Sequence, residues 1–413
     1  MIGHRLFRGS ILDCFHDGMP VISHSLPKGG YRFPHIKQGT GAKRNVHHTG
    51  AVARQPMSNF ESPVDFNHIS FWYDSLGSVL TRISRIFLAL RYTIRGGPGG
   101  QIIVMNNHSN VYEFIFIPFP PICELEIVLF IMFLLIYIVI ITGNLTIIIL
   151  VYWDSKLYSP MYFFLGNISF LEMSISTVVI PKLLSTLLSN TKSISYAGCF
   201  MQCYFYFLLG TIDFFVLAAM SIDRYIAICN PLQYVTIMTW NKCFYLVLAS
   251  WMVGIFFVTP AAVVKAMLPF CGINVINHFF CDSSLLIKLA CIDTQLLEMI
   301  DFFMYSFVIL GSFIVTIVSY TVIVITVLKI PSVTGRQKMF STCASHLFLV
   351  CLGYGGTIFL YVIPKQKALI SINKMVSMIT VFVTPILSPF VFTLRNERVK
   401  IALVNLLFKE SHQ

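Results

Sequence analysis

Charge is what this sequence has least of. Asp, Glu, Lys and Arg make up 11% of its 413 residues, less than half the share typical of a soluble globular chain, about 25%. So few charges cannot cover a water-facing surface, which excludes an ordinary soluble enzyme or binding domain. Acids are scarcer than bases, 18 against 29, for a formal charge of +11. The excess is spread along an apolar chain without the basic stripe that a nucleic-acid groove needs, and attraction to anionic lipid accounts for it more simply. Also missing are a phosphate-cradling Gly loop, a hydrolytic triad and a zinc-ligand spacing, so no enzyme is expected. Residues 1–20 lack the apolar run of a secretory signal.

Long hydrophobic blocks take the place of charge. A membrane-spanning helix needs about 20 mostly apolar residues. The stretches 127–153, 243–264, 302–328, 339–364 and 375–394 carry no Asp, Glu, Lys or Arg at all. Two more, 161–186 and 196–228, are long enough but contain acids. The expected fold is therefore an all-α membrane protein with seven transmembrane helices. Three bases in the loop 329–338, with Arg395, Arg398, Lys400 and Lys409 in the tail, favour a cytoplasmic C-terminus. Glu113, Glu124 and Glu126 precede the first span, and the sequon at Asn107 would then lie outside as a glycosylation site. Two further sequons, at Asn144 and Asn167, fall inside spans and are expected to be inert.

The N-terminal quarter has a different texture. Residues 1–104 hold 12 Lys/Arg against 5 Asp/Glu, are dotted with Pro, Gly and His, and contain no long apolar run. Residues 80–95 place Ile83, Ile86, Phe87 and Leu90 on one helical face beside four arginines, a pattern suited to a membrane interface. The segment as a whole is expected to be disordered or an upstream artefact of the gene model, with the membrane domain at 105–413.

Seven spans alone do not separate a receptor from a channel or a carrier. No inverted repeat, no matched pair of broken helices and no ring of charge points to transport. Motifs decide the matter. The third span ends in MSIDRYIAIC over 220–229, which sets Asp223, Arg224 and Tyr225 at a helix end, where a charge must be paired or reach water. The second span opens with LYSPMYFFL over 157–165 and the sixth with KMFSTCASHL over 338–347. Gly143-Asn144 lies in the first span, Ser319-Tyr320 late in the fifth, and PILSPFVFTLRN over 385–396 closes the seventh. In this order and spacing the set resembles the odorant-receptor branch of rhodopsin-like G-protein-coupled receptors, over essentially all of 105–413.

The resemblance implies odorant binding within the bundle, coupling to a stimulatory heterotrimeric G protein that raises cyclic AMP, and a plasma-membrane location with the N-terminus outside. It also implies a short amphipathic helix on the cytoplasmic side after the last span. Arg224, restrained at rest by Asp223, is implied to meet the G protein on activation together with Tyr225 and Tyr320, while Pro389 breaks the seventh helix. A related chemosensor expressed elsewhere than in the nose fits the same residues. The seventh-span motif departs from the usual Asn-Pro-x-x-Tyr: Ser388 and Phe392 remove an amide and a hydroxyl that help hold the active state. Gly355-Gly356, where the family has one Gly, is expected to loosen the sixth helix.

Of 11 cysteines, Cys199, Cys271, Cys281 and Cys291 fall in stretches expected outside, with Cys123 near a boundary. Four cysteines allow three pairings, and the sequence alone does not choose. The resemblance implies Cys199–Cys281 and Cys271–Cys291. Cys203, Cys229, Cys243, Cys343 and Cys351 read as reduced packing residues, and Cys14, in the N-terminal segment, is left unassigned. The string HFFCD over 278–282 has metal-ligand chemistry, but a disulfide at Cys281 would consume its thiolate. Two acids, Glu172 and Asp213, lie within spans, where an ionisable group points to function. By resemblance they would coordinate an allosteric sodium ion; the alternative is a protonated, hydrogen-bonded pair.

Candidate pocket residues come from the outer halves of spans three, five and six. The third supplies Tyr206, Phe207, Gly210 and Thr211, the fifth Met304, Tyr305 and Val308, and the sixth Tyr354, Thr357, Ile358 and Tyr361. None is charged, which suits a small, mostly apolar ligand fixed by one or two hydrogen bonds. Asp213 lies nearly two turns deeper than Tyr206, too far down to anchor an amine. No Lys stands between Lys374 and Arg395, so the seventh span offers no Schiff base to retinal.

Overall fold

A computed structural model describes residues 112–119, 123–189, 191–270, 274–363, 370–395 and 397–409. All of these belong to one compact unit. The non-family segment 1–104, with its candidate interfacial helix, and Asn107 lie outside the described residues.

In lipid no water satisfies a stray backbone group, so an apolar chain crosses only as hydrogen-bonded helix or closed barrel. Seven long helices form here: α1 (Cys123–Trp153), α2 (Pro160–Leu188), α3 (Tyr196–Cys229), α4 (Trp240–Ala266), α5 (Gln295–Leu328), α6 (Val333–Tyr361) and α7, which runs as Ile370–Met378, a π-helical stretch Ile379–Val383, and Thr384–Arg395. Six segments within α1–α5 and α7 are long and apolar enough to cross a bilayer, and His346–Tyr361 of α6 is a shorter apolar helix. The seven helices overlap the seven uncharged or nearly uncharged blocks in order, with α5 and α6 beginning several residues earlier, at Gln295 and Val333. An eighth helix, α8 (Glu397–Lys409), follows the last span. Its Val399 and Ala402 pack under Ile147, Leu150, Val151 and Leu157, while Arg398 and Lys400 stay exposed.

Hydroxyl side chains inside the spans are absorbed by their own helices. Thr142 donates to Ile138 O at 2.7 Å, Ser312 to Val308 O at 2.7 Å and Thr316 to Ser312 O at 2.9 Å, the i−4 back-bond open to Ser and Thr. Asn144 is fully buried and donates to Ile140 O and, across the bundle, to Pro385 O at 3.1 Å, tying α1 to α7. Beside it Gly143 lets α7 approach closely: a Cβ there would stand 3.1 Å from the Pro389 ring. Small residues at such contacts are how apolar helices gain packing energy without a hydrophobic drive between them.

One end of the bundle carries a three-stranded sheet with order β2-β1-β3: β1 is Glu113–Phe116, β2 Ser193–Ser195 and β3 Val275–Ile276. β1 pairs antiparallel with β2 and parallel with β3. Phe114 and Phe116 point inward and are buried, and Phe114 meets the rings of Tyr196, Phe200 and Phe270. Cys199 of α3 and Cys281 of the α4–α5 connection form a disulfide with Cα atoms 5.5 Å apart. Cys271 lies outside the described residues, and with it the Cys271–Cys291 bridge. Cys203 and Cys243 are buried thiols as expected of packing residues, Cys229 is half-buried, and Cys351 differs in being exposed on an apolar face. The side chain of Cys343 lies outside the described residues.

Candidate functional site

Beneath the sheet a cavity of about 120 Å³ opens between α2, α3, α5, α6 and α7. On α3 its lining follows the helical period, Tyr206, Phe207, Gly210, Thr211, Asp213, Phe214 and Leu217. Those residues span eleven steps, about 16 Å along the axis at 1.5 Å each, so the cavity is long and narrow. Tyr305, Val308 and Ile309 of α5 and Leu349, Gly353, Thr357 and Tyr361 of α6 form one side. Thr380, Thr384 and Ser388 of α7, with Ile168, Glu172 and Ile175 of α2, form the other.

Eight of the eleven sequence-derived pocket residues therefore converge: Tyr206, Phe207, Gly210, Thr211, Tyr305, Val308, Thr357 and Tyr361. Three do not line the cavity. Tyr354 is completely buried behind it, between the rings of Phe214 and Phe313, and Ile358 packs into the same α5–α6 cluster. Met304 is half-buried and not among the lining residues. The deeper half of the lining was missed, although the α3 stripe continues at the same spacing from Gly210 through Phe214 to Leu217. The α7 contribution had no comparable signal, because a π-helical stretch at 379–383 resets the helix phase just where Thr380 turns inward.

Glu172 and Asp213 meet at the deep end of this cavity rather than in a compartment of their own. Each carboxyl has a buried oxygen without a hydrogen-bond partner, and so does Thr384 Oγ1 of the same lining, where Ser388 also faces Glu172. Such a collection of uncompensated oxygens is costly unless something polar joins it, and oxygen donors of this kind suit a hard cation. The residues present fit a sodium ion. The string at 278–282 does not act as a metal site of the proposed kind, since Cys281 is bound to Cys199 and His278 stacks on Phe279 at 4.6 Å.

At the far end of α3, Asp223 is fully buried and its carboxylate holds two partners. Arg224 donates from Nε at 3.0 Å and also from Nη2. Tyr234, in the single helical turn Tyr234–Ile237, donates its hydroxyl at 2.8 Å. Burial and the adjacent Asp223 carboxylate push the Tyr234 phenol well above its ordinary pKa, so it remains a donor at any physiological pH. Tyr225 packs against Tyr320, Ile323 and Val327 of α5, and Tyr320 in turn meets His346 of α6 through its hydroxyl. Pro389 sits inside α7 against Gly143. The ends of α3 and α5 thus pack together through Tyr225 and Tyr320, and Tyr320 joins α5 to α6 through a polar contact with His346.

A buried cavity under a disulfide-tied cap at one end, and a restrained Arg at the other, is the anatomy of a ligand-gated helix bundle. The olfactory receptor family model matches residues 133–410. The chain belongs to the olfactory receptor family. It is 49% identical over 305 residues to human olfactory receptor 6S1, covering 74% of this chain and 92% of that protein. Mouse olfactory receptor 6E1 is 46% identical over 297 residues, 72% of this chain and 95% of that protein. Human olfactory receptor 6J1 is 47% identical over 290 residues, 70% and 84%. This olfactory receptor is accordingly a multi-pass membrane protein and not an enzyme.

Proposed function

We propose that residues 105–413 form an odorant receptor domain that binds a small, largely apolar volatile ligand in the α2–α3–α5–α6–α7 cavity and activates a stimulatory heterotrimeric G protein, raising cyclic AMP. The carrying observation is a single elongated cavity that reaches from the aromatic cluster at Tyr206, Phe207 and Tyr305 down to Ser388 and His346, the latter in contact with Tyr320. A ligand that fits this space better in one bundle arrangement shifts the population toward it, and one that fits both equally shifts nothing. In the active arrangement α6 moves away from α3, Arg224 leaves Asp223, and Arg224, Tyr225 and Tyr320 become available to the G protein, with Pro389 permitting α7 to adjust. The similarity to human and mouse olfactory receptors supports the receptor role. The bases in 329–338 and on α8 support a plasma-membrane topology with this end in the cytosol, the N-terminus and Asn107 outside, and Asn107 glycosylated.

The sodium ion, when bound, would supply positive charge between Glu172 and Asp213 that favours the resting bundle. Its support is the pair of carboxyls at the deep end of the cavity, each with an unpartnered oxygen, beside Thr384 and Ser388 of the same lining.

The test is Arg224→Ala in cells carrying a cyclic AMP reporter and challenged with an odorant panel. The expected result is complete loss of signalling with surface display retained. A fully active Arg224→Ala receptor would end this assignment.

A further inference from the structure

Glycines in this bundle fall into two kinds. A Cβ at Gly143 would stand 3.1 Å from the Pro389 ring, and one at Gly254 2.7 Å from Ile212 Cγ1, so both admit a neighbouring helix. A Cβ at Gly210 or Gly353 would meet nothing within 4 Å, and both residues line the cavity. Gly311 and Gly355 also meet nothing, but they are exposed and stand outside the lining. Inside a helix a glycine costs stability relative to alanine, because it loses more backbone freedom on folding. Gly210 lies within α3 and Gly353 within α6, and neither admits a neighbour in return. What these two residues give the molecule is width in the cavity.

Aromatic contacts fix where the two widenings lie. Phe207 of α3 stacks on Tyr305 of α5 with centroids 4.8 Å apart and meets Tyr361 of α6 at 5.4 Å. Deeper in the bundle Phe214 of α3 meets Tyr354 of α6 at 4.8 Å, so these two antiparallel helices stay in step. Gly210 lies about one turn below the upper contact. Gly353 sits at the lower one, beside Tyr354, whose ring turns away between Phe214 and Phe313. At 1.5 Å per residue the two glycines are separated by about 7 Å along the bundle. At the level of Gly210, α5 presents the branched apolar side chains of Val308 and Ile309. An otherwise narrow cavity is thus broad through its middle, on two helices and over more than one turn.

We infer that Gly210 and Gly353 set the shape selectivity of the ligand site, and that the ligand is built on a compact mono- or bicyclic hydrocarbon skeleton rather than a linear chain. A ring system is wide enough to touch the helix backbone where the two side chains are missing. An extended alkyl chain is one methylene across and leaves those gaps empty, and atoms that face a gap forfeit their dispersion contacts. Burial of apolar area likewise favours the body that fills the space. The inference rests on reading the cavity as the ligand site.

The experiment uses the full chain in lipid nanodiscs and follows thermal unfolding with menthol and borneol beside 1-decanol. These probes share ten carbons and one hydroxyl and differ in shape. Menthol or borneol should stabilise the wild type more than 1-decanol does. Gly210→Ala and Gly353→Ala each add a methyl in open space, and alanine suits a helix better, so both variants should fold. In each, apparent affinity for the cyclic probes should fall about tenfold or more, the scale of one methylene in an apolar pocket, while that for 1-decanol stays or rises. A wild type that gains no more from the cyclic probes than from 1-decanol overturns the proposal. So does a cyclic preference that survives both substitutions, or an equal loss of all three probes. Gly210→Leu with Gly353→Leu fills the space, and in it no probe should stabilise; probes that still do so bind elsewhere, which overturns the ligand-site reading as well. A cyclic preference lost in the alanine variants, without cyclic AMP in cells, supports this inference and counts against the coupling reading instead.

Discussion

Asp223 holds the end of α3 to the connection that follows it, because one buried carboxylate serves two donors from different segments. Its contact with Arg224 could be foreseen from adjacency in the Asp-Arg-Tyr string. The second donor, Tyr234, could not: it lies eleven residues on, past Asn230-Pro231, and only the fold of that short connection brings its hydroxyl to Asp223 Oδ1. Removing the hydroxyl with Tyr234→Phe leaves the ring's packing and deletes a hydrogen bond to a charged group, a contribution of about 1.5–3 kcal/mol. On the proposed mechanism the bond restrains the resting bundle, so its loss should raise ligand-free signalling several-fold, up to about tenfold if half of that energy reaches the resting–active equilibrium. Basal cyclic AMP normalised to surface display measures this, and an unchanged basal level would show that Tyr234 only shapes the connection. The two mid-span acids allow a second residue-scale prediction. Asp213→Asn keeps the side chain's size but removes its charge, so replacing external sodium with an organic cation should shift agonist potency in the wild type and not in the variant. Equal sodium sensitivity in both would remove Asp213 from the proposed cation site.

Helices were the most legible part of the molecule, because membrane insertion writes each span as a block of about 20 residues with almost no charge. The sheet was not, since its strands of four, three and two residues are too short for any alternation to register. The contact between α6 and α7 was misjudged for a related reason. The second Gly of the pair at 355–356 was expected to loosen α6, yet α6 is continuous from Val333 to Tyr361 and the two glycines differ in their surroundings. Gly355 faces open space, while a Cβ at Gly356 would stand 2.6 Å from Thr380 Cγ2 in the π-helical stretch of α7. Gly356 is thus a close-approach residue that admits the Thr380 methyl. Gly356→Ala should overpack this contact and lower stability by about 1–3 kcal/mol, read as a lower unfolding temperature in nanodiscs. Thr380→Ser removes the clashing methyl and keeps the hydroxyl, so the double variant should recover most of the loss. Additive destabilisation in the double variant would mean that the two side chains do not meet.

Across the whole molecule, the feature hardest to read from the sequence is that its ends communicate through one space. Helical spacing placed Asp213 deeper on α3 than the ligand residues there, but not that a single cavity joins them with Glu172 of α2, which depends on how α2, α5, α6 and α7 close around that stripe. The cap is joined to this space as well. Lys374, in the first turns of α7, donates to Ile117 O and Pro118 O, each at 3.0 Å, and to Asn277 Oδ1 at 2.8 Å. It therefore ties α7, which lines the cavity, to the chain leaving β1 and to the α4–α5 connection that holds β3. In the sequence this lysine only marks where the charge-free block 375–394 begins. Replacing it with Met keeps an apolar stem of similar reach and removes all three bonds. The cap should then lift from α7 more often, and a net weakening of about 1.4 kcal/mol would mean a tenfold larger open fraction. Since most changes in affinity among related complexes appear in the dissociation rate, Lys374→Met should shorten ligand residence while maximal signalling persists. Following G-protein activation after agonist washout measures this directly. Decay at the wild-type rate would mean that the ligand leaves by another path, between helices rather than past the cap.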